Sequence, residues 1–489
     1  MDKTKIITFE KWYKGQAKHP IYGLGLVQNV EVFENKGIAK LKGGTTSFLS
    51  PSALILSELY DIHGNQYLLS GYSGAGTFYK NAAAIQTGIT SAWDMAIYKD
   101  YVWIRSAGNL SAYGPISSGA PQFFANLVTG FDSNSYGKLL VGQDDFLYSG
   151  NGNFVAKINV TAGGVPGVPP TIITTLNALD LPDGQYVTTL CEYGKNIMIG
   201  TCGSSSFSSR GNFAVARIYP WNRQAGTLGN PGLADLPIVF SENGVNAMEQ
   251  HANKLYVQAG TQGNVYITDS TNYEKIAELP YTQNAVVSSC AVFPNAICIS
   301  ARGTLQIGVS TTGNGFSKGG LYEIDISDPA FPVAYRTIST GSQGLNSVLN
   351  IGVLKQGNFQ TINIGWSDGA TFGFDGPSFT TVGNFGGVIE TEMIKVGGFN
   401  SKRTFEHIEW CLAEPLIAGQ SIRISYRLNN KSAYAPIKTW SFGAVGSKIS
   451  FEDVASIADA EYVQLKIELD YSALINLGTN IFLIAVKIW

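Results

Sequence analysis

The residues best suited to chemistry are the adjacent carboxylates Asp144 and Asp145, set at a polar break between the short runs Lys138–Val141 and Phe146–Tyr148. One of them could supply half of the acid–base pair that glycoside cleavage requires, with two carboxyl groups facing each other across a bond. A solvated turn between two strands accounts for them more simply, and is the expectation. The four histidines, His19, His63, His251 and His407, show neither HxH nor HExxH spacing, so no metal set is assigned. His63 and His251 stand at matching inter-strand turns of two similar segments. The glycine-rich Thr311–Gly320 (TTGNGFSKGG) contains a lysine but not the GxxxxGK[ST] order of a phosphate cradle. No serine sits in a GxSxG elbow. The sequence therefore assigns no catalytic, cofactor-binding or metal-binding residue, and the expectation is a protein that is not an enzyme.

Two further groups bear on chemistry. Trp366–Phe372 (WSDGATF) is similar to the Asp-box turn of sialidase-like propellers, but the spacing is one residue short and no second copy occurs. An ordinary Asp-Gly hairpin turn explains it better. The five cysteines, Cys191, Cys202, Cys290, Cys298 and Cys411, are odd in number and lack CxxC. Cys191 and Cys202 could flank a hairpin and pair, yet free thiols packed as small hydrophobes are the simpler reading. That reading implies folding in a reducing compartment. The chain also carries 8 Trp, 24 Tyr and 25 Phe. Most are expected in a core, while Tyr72, Tyr136 and Tyr273, at loop tips, are candidates to stack on a sugar or a partner subunit.

The elements that would position these residues are strands. Charged residues make up 14% of the chain against 44% hydrophobic, the difference being taken by small polar residues, glycine and aromatics. A formal charge of −3 leaves no basic footprint for sequence-specific nucleic-acid binding or for acidic membranes. No apolar run approaches the roughly 18 residues of a membrane span. The opening MDKTKIITFEKWYKG lacks the apolar centre of a signal peptide.

Asn243–Ser270 shows the recurring plan: an apolar strand at Val245–Met248, a turn at His251–Asn253, a strand at Leu255–Gln258, a glycine turn, and a strand at Asn264–Thr268. The same plan recurs at Ser52–Asn81, Ser91–Pro115, Gly130–Ile158, Gln185–Trp221, Asn284–Ser327 and Asn346–Asp375. A lone three-strand meander cannot bury its own face, whereas copies packed side by side can. The predicted fold is all-β: an irregular β-propeller of about seven blades over residues 51–378. A C-terminal antiparallel β-sandwich or jelly roll is expected over 386–489, where SIRISYRLN and YVQLKIELD alternate strictly. Residues 1–50, with Trp12, Tyr13 and Tyr22, are expected to pack on the propeller.

The segment Lys11–Leu41 (KWYKGQAKHPIYGLGLVQNVEVFENKGIAKL), the irregular repeats and a late YRLNN strand at Tyr426–Asn430 together resemble tail proteins of tailed bacteriophages. The nearest likeness is to the nozzle or tail-hub proteins of short-tailed phages, and it rests on layout rather than on a diagnostic motif. The resemblance implies a structural virion protein, made in the host cytoplasm without a signal peptide. It implies several copies, six in the family, ringing the channel for double-stranded DNA and meeting other tail proteins, with no cofactor. A receptor-binding propeller holding host surface glycan is the second reading, and a glycan-cleaving enzyme the third.

Overall fold

A computed structural model describes residues 5–8, 24–28, 30–31, 39–41, 45–71, 74–133, 136–203, 216–223, 236–260, 263–279, 289–291, 293–300, 303–312, 319–326, 333–337, 347–356, 359–367, 371–377, 387–391, 394–395, 403–412, 416, 419–428, 433–441, 449–460, 462–471 and 482–488. Among these the secondary structure is strand, with no helix, as the alternating patterns predict.

Five four-stranded antiparallel meanders follow one another. The first joins Ile55–Tyr60, Gln66–Ser70, Ala75–Lys80 and Ala83–Thr90. The second joins Ala92–Tyr98, Tyr101–Ser106, Asn109–Gly114 and Gln122–Thr129. Leu139–Val141, Leu147–Asn151, Phe154–Ala162 and Thr171–Asp180 form the third. The fourth runs Tyr186–Tyr193, Asn196–Cys202, Ala216–Trp221 and Ile238–Phe240. The fifth runs Val245–His251, Lys254–Ala259, Asn264–Thr268 and Tyr273–Glu278.

The sixth unit, with Ile297–Ile299, Thr304–Thr312, Gly320–Asp325 and Val333–Thr337, is part of a longer sheet. In the seventh, Ser347–Gln356, Phe359–Ser367 and Phe372–Pro377 are completed by Thr45–Leu49 from the start of the chain. The fourth strands of the first, second, third and fifth units are more exposed than the strands before them: Ala83–Thr90 is exposed or half-buried along its whole length, while Tyr101–Ser106 is buried throughout. A strand covered on both faces can be apolar at every position, and one at the rim cannot.

Apolar clusters lie between neighbouring units. Tyr67, Phe78, Val102 and Tyr113 join the first to the second, and Trp103, Leu110, Leu147 and Ile158 the second to the third. Tyr148, Val155, Leu190 and Ile199 join the third to the fourth. Ile218, Phe240, Val257 and Tyr266 join the fourth to the fifth. Val265, Ile267, Leu305 and Tyr322 join the fifth to the sixth, and Cys298, Leu321, Ile351 and Trp366 the sixth to the seventh. The last cluster, Ile55, Leu68, Tyr79 and Phe374 with Leu49 against it, joins the seventh back to the first. The result is a propeller-like all-β fold in which each sheet buries its faces on its neighbours.

The C-terminal strands form two sheets. Leu24–Gln28 pairs with Gly387–Thr391, then follow Tyr462–Tyr471, Gln420–Leu428 and Ala435–Ser441; through Gln28 and Arg336 this sheet is continuous with the sixth unit. The other sheet contains Val30–Glu31, Ala39–Leu41, Phe482–Ile488, Arg403–Leu412 and Ile449–Ala460, with Lys5–Thr8 also on Phe482–Ile488. Trp410 of one sheet and Trp440 of the other, both buried, meet edge to face at 5.5 Å. The start of the chain thus pairs with the C-terminal strands as well as with the seventh unit. Trp12, Tyr13 and Tyr22 lie outside the described residues.

Phe374 is fully buried where the seventh unit meets the first. Phe374→Ala removes a core aromatic ring, at a cost of about 3–5 kcal/mol. A large drop in the thermal midpoint is expected in differential scanning calorimetry, well beyond that of an exposed-strand control such as Ile85→Ala.

Candidate functional site

The first strands mix apolar residues with polar ones, and some of the polar positions converge. Ser57 and Glu58, Asp94, Lys138 beside the third unit's first strand, Glu192, Glu249, Asn295 and Asn350 all line one cavity of about 410 Å³. Its wall includes residues from every unit, with Met95, Leu139, Leu190, Met248 and Ile351 supplying apolar surface between the polar groups. A cavity walled by the first strands of successive sheets lies where their inner edges meet.

Asp94 is the most tightly held of these groups. Its Oδ1 accepts from Ser57 Oγ at 2.9 Å, from the Met95 amide at 2.8 Å and from Asn295 Nδ2 at 2.6 Å. Its Oδ2 accepts from the Leu139 amide at 2.8 Å and faces Lys138 Nζ at 3.3 Å. Lys138 also donates to Asn295 Oδ1, and Asn295 donates to the Leu56 carbonyl at 3.0 Å. Four units are tied by this one carboxylate. The same cluster separates the large cavity from a void of about 20 Å³ lined by Leu56, Trp93, Tyr136 and Phe293, room for about one water molecule. A carboxylate with this many donors is a staple: its lone pairs are committed, so it has nothing left to take a proton from a substrate.

Glu58 is different. It is 8% exposed, and its Oε1 accepts from Gln66 Nε2 at 2.7 Å and Asn363 Nδ2 at 2.8 Å. Both amides also donate to Tyr60 Oη at 2.7 Å, so the network spans the junction of the first and seventh units. Oε2 makes no hydrogen bond and lies against Gly352, where an added Cβ would fall 1.5 Å from it. A side chain at Gly352 would have to displace the Glu58 carboxyl. Burial raises the Glu58 carboxyl above its ordinary value, against the opposing hydrogen bonds from Tyr60, Gln66 and Asn363.

Among the residues singled out from sequence, Asp144 and Asp145 do occupy a turn between two strands, but neither is poised as an acid or base. Asp144 Oδ2 accepts from Tyr148 Oη at 2.6 Å and lies 3.5 Å from Lys157 Nζ, with Arg223 Nε 3.6 Å from its Oδ1. Asp145 pairs with Lys99. Arg223 also pairs with Glu192 of its own unit, so that its contact with Asp144 ties the third unit to the fourth. Tyr136 is 2% exposed and packs on Trp93 with ring centroids 5.1 Å apart, so it is a core residue rather than a loop-tip contact. The glycine that follows it, Gly137, lies close under the Arg105 side chain, where an added Cβ would fall 2.1 Å from Arg105 Cγ.

Tyr273 is 44% exposed on the outer strand of the fifth unit and lies against Phe240 at 4.6 Å and Tyr266 at 5.7 Å. Tyr72 and His19 lie outside the described residues, as do 368–370 of the Asp-Gly turn and 313–318 of the glycine-rich loop. His63 and His251 are exposed at their turns, and His407 lies on the strand Arg403–Leu412. Cys191 and Cys202 form no disulfide and register opposite Met198 and Tyr186, at the two ends of their hairpin. Burial pushes the Cys191 and Cys298 thiols up, which makes them inert packing groups. No group of three or more His, Cys, Asp or Glu among the described residues is arranged to hold a metal.

No family model and no curated protein matches the chain. Solved structures do resemble it in shape. An extracellular domain of a hybrid two-component system from B. thetaiotaomicron is 12% identical with a TM-score of 0.47 over 90% of this chain, which spans 57% of that one. A virginiamycin B lyase from Staphylococcus aureus is 10% identical at TM-score 0.44, over 69% of this chain and 99% of that one. A Trypanosoma rangeli sialidase is 7% identical at TM-score 0.32, over 91% and 96%. At these identities and scores the likenesses assign neither family nor activity.

Two outcomes follow from the geometry. Removing the Asp94 charge as Asp94→Leu strands the Lys138 ammonium and the Asn295 amide, and a loss of about 3 kcal/mol or more is expected in denaturant titration. For Glu58, a folded-state value above the ordinary 4.5 means that the native chain holds a proton the unfolded chain has released. Stability is then complete below about pH 4.5 and falls as pH rises toward the folded value. Glu58→Gln is expected to flatten that part of the profile and to raise the thermal midpoint at pH 8 relative to wild type, measured by calorimetry from pH 5 to 8.

Proposed function

We propose that this chain is a structural tail protein of a short-tailed bacteriophage, of the nozzle or tail-hub type. In this reading residues 51–378 are a seven-bladed β-propeller and 386–489 a C-terminal β-sandwich, with the segment 1–50 binding the two together. Six copies ring the DNA exit path in the virion, joined to other tail proteins. The phage assignment comes from the layout of the chain. What supports a passive architectural role is the blocked propeller axis.

The cluster of Asp94, Lys138 and Asn295 stands across the junction of the inner strands, and a cavity of about 410 Å³ is far too small for a duplex. DNA would therefore pass between copies, with each propeller acting as a wall. The low formal charge of −3 suits a wall that does not retain DNA through phosphate contacts. The β-ladder running from the sixth unit through Leu24–Gln28 into the C-terminal strands supports the same reading, because a continuous sheet transmits load without a hinge. No catalytic residue, cofactor or metal belongs to this proposal.

A second reading, recognition of host surface glycan, is favoured by Tyr273, whose exposed ring is held by Phe240 and Tyr266. It is compatible with the first, since a distal tail protein faces the host.

Light scattering of the purified chain, together with imaging of virions, tests the assignment. A ring-forming oligomer that appears as a symmetric density at the tail tip is expected. A stable monomer absent from purified particles would overturn it.

A further inference from the structure

Asp94 has no lone pair for an outside substrate, but two of its five donors are the halves of an amide-forming reaction. Lys138 carries a primary amine and Asn295 a carboxamide, and Lys138 Nζ is in direct contact with Asn295 Oδ1. The carboxamide carbon is one bond beyond that oxygen, about 1.2 Å. The two residues are 157 apart in the chain, beside the first strands of the third and sixth units, so only the ring of sheets brings them together.

The carboxamide is held in one orientation. Its nitrogen donates to Asp94 Oδ1 at 2.6 Å and to the Leu56 carbonyl at 3.0 Å, while its oxygen faces Lys138 Nζ. Turned the other way, it would set its NH2 against an ammonium and its oxygen against two acceptors. Asp94 touches both reacting groups, with Oδ2 3.3 Å from Nζ and Oδ1 on Nδ2. It is buried and anchored by the Ser57 hydroxyl and the Met95 and Leu139 amides, so it cannot swing away. Leu56, Trp93, Tyr136 and Phe293 close one side of the cluster, and the cavity of about 410 Å³ lies on the other. Aminolysis of an amide needs a nucleophile, an electrophile and a group that moves protons between them, all in contact. The three side chains meet that description.

We propose that Lys138 and Asn295 join covalently in an intramolecular isopeptide bond, with Asp94 as the proton carrier. Asp94 takes a proton from the Lys138 ammonium, and the freed lone pair of Nζ attacks Asn295 Cγ, pushing the carbonyl π pair onto Oδ1. Asp94 carries two protons in all from Nζ to Nδ2, one before the attack and one after it. The Oδ1 lone pair then re-forms the carbonyl, the Cγ–Nδ2 bond breaks, and the nitrogen leaves through the cavity as ammonium. Asp94 ends as the carboxylate it began as, and no other reagent is consumed. The product cross-links the third and sixth units and closes a loop of 157 residues across the middle of the ring. Such a link restricts the unfolded chain as a disulfide does, and more for a longer loop. The inference does not depend on the tail assignment, since it concerns a single chain.

Mass spectrometry of the purified full chain under denaturing conditions is the test, followed by trypsin digestion. The chain is expected to be one ammonia lighter than its sequence, with Lys138 uncleaved and the peptide 106–157 joined to 276–302. The joined pair is the deciding readout, because succinimide formation at an Asn-Gly pair such as Asn243–Gly244 also releases ammonia. Lys138→Arg, which keeps a cation beside Asp94 but cannot form the amide, is expected to yield the two peptides separately. In Asp94→Asn the linked fraction, followed over time in freshly expressed protein, is expected to grow about a hundredfold or more slowly. Circular dichroism confirms that both variants fold. Full mass and separate peptides in the folded wild-type chain overturn the proposal. So does an ammonia loss that maps only to residues other than Lys138 and Asn295, and linkage at an unchanged rate in folded Asp94→Asn overturns the role given to Asp94.

Discussion

Closure of the first unit on the seventh is the contact on which the other units depend. Glu58 and Asn363 are 305 residues apart in the chain and 2.8 Å apart in space. Around them Ile55, Leu68, Tyr79 and Phe374 bury one another, and Leu49 covers their edge from the start of the chain. A sheet in the middle of a row has two neighbours to cover its faces, while the sheets at the ends have one. Bringing the ends together removes both exposed faces at once, and because loop-closure entropy grows only as the logarithm of length, the cost of the long span is modest. The apolar area gained is local and large by comparison.

Closure also explains the polar residues at the centre. First strands that converge on one cavity cannot interdigitate as two flat sheets do, so a space remains between them. Asp94, with five donors from four units, fills part of it with hydrogen bonds that only one relative placement of those units satisfies. Arg223, between Asp144 and Glu192, does the same farther out between the third and fourth units. These charges specify geometry. The carboxylates that looked like chemistry in the sequence are consumed in this way.

Much of the fold was legible from the sequence because the period-2 alternation survives wherever a strand has one face in and one face out. The second and third strands of the units, such as Leu255–Gln258 and Asn264–Thr268, are placed within a residue or two. The fourth strands were not read as strands: Ala83–Thr90 is mostly small and polar residues, and in Thr171–Asp180 the apolar residues are mixed with threonines without a clean alternation. Ile449–Ala460 was missed in the C-terminal part for a similar reason, its run of alanine and acidic residues breaking the alternation. Pairing of Thr45–Leu49 with Phe372–Pro377 could not be read at all, since register between distant strands is set by tertiary contact.

The candidate site was the least legible part. Its signal was present only as charged or amide residues scattered among the apolar ones of the first strands, such as Glu58, Asp94, Glu249 and Asn350. One polar residue in a strand is unremarkable, and only the ring brings them together. Tyr136 misled in the other direction, because a tyrosine between polar residues reads as a loop tip whether it turns outward or, as here, inward onto Trp93.

An electron cryo-microscopy map of the chain tests ring closure most directly. The account predicts a closed disc in which the strand beside Phe372–Pro377 is traced to Thr45–Leu49 and the first and seventh sheets lie in contact. An open row of sheets, with Ile55 and Phe374 on separate solvent-facing edges, would contradict it.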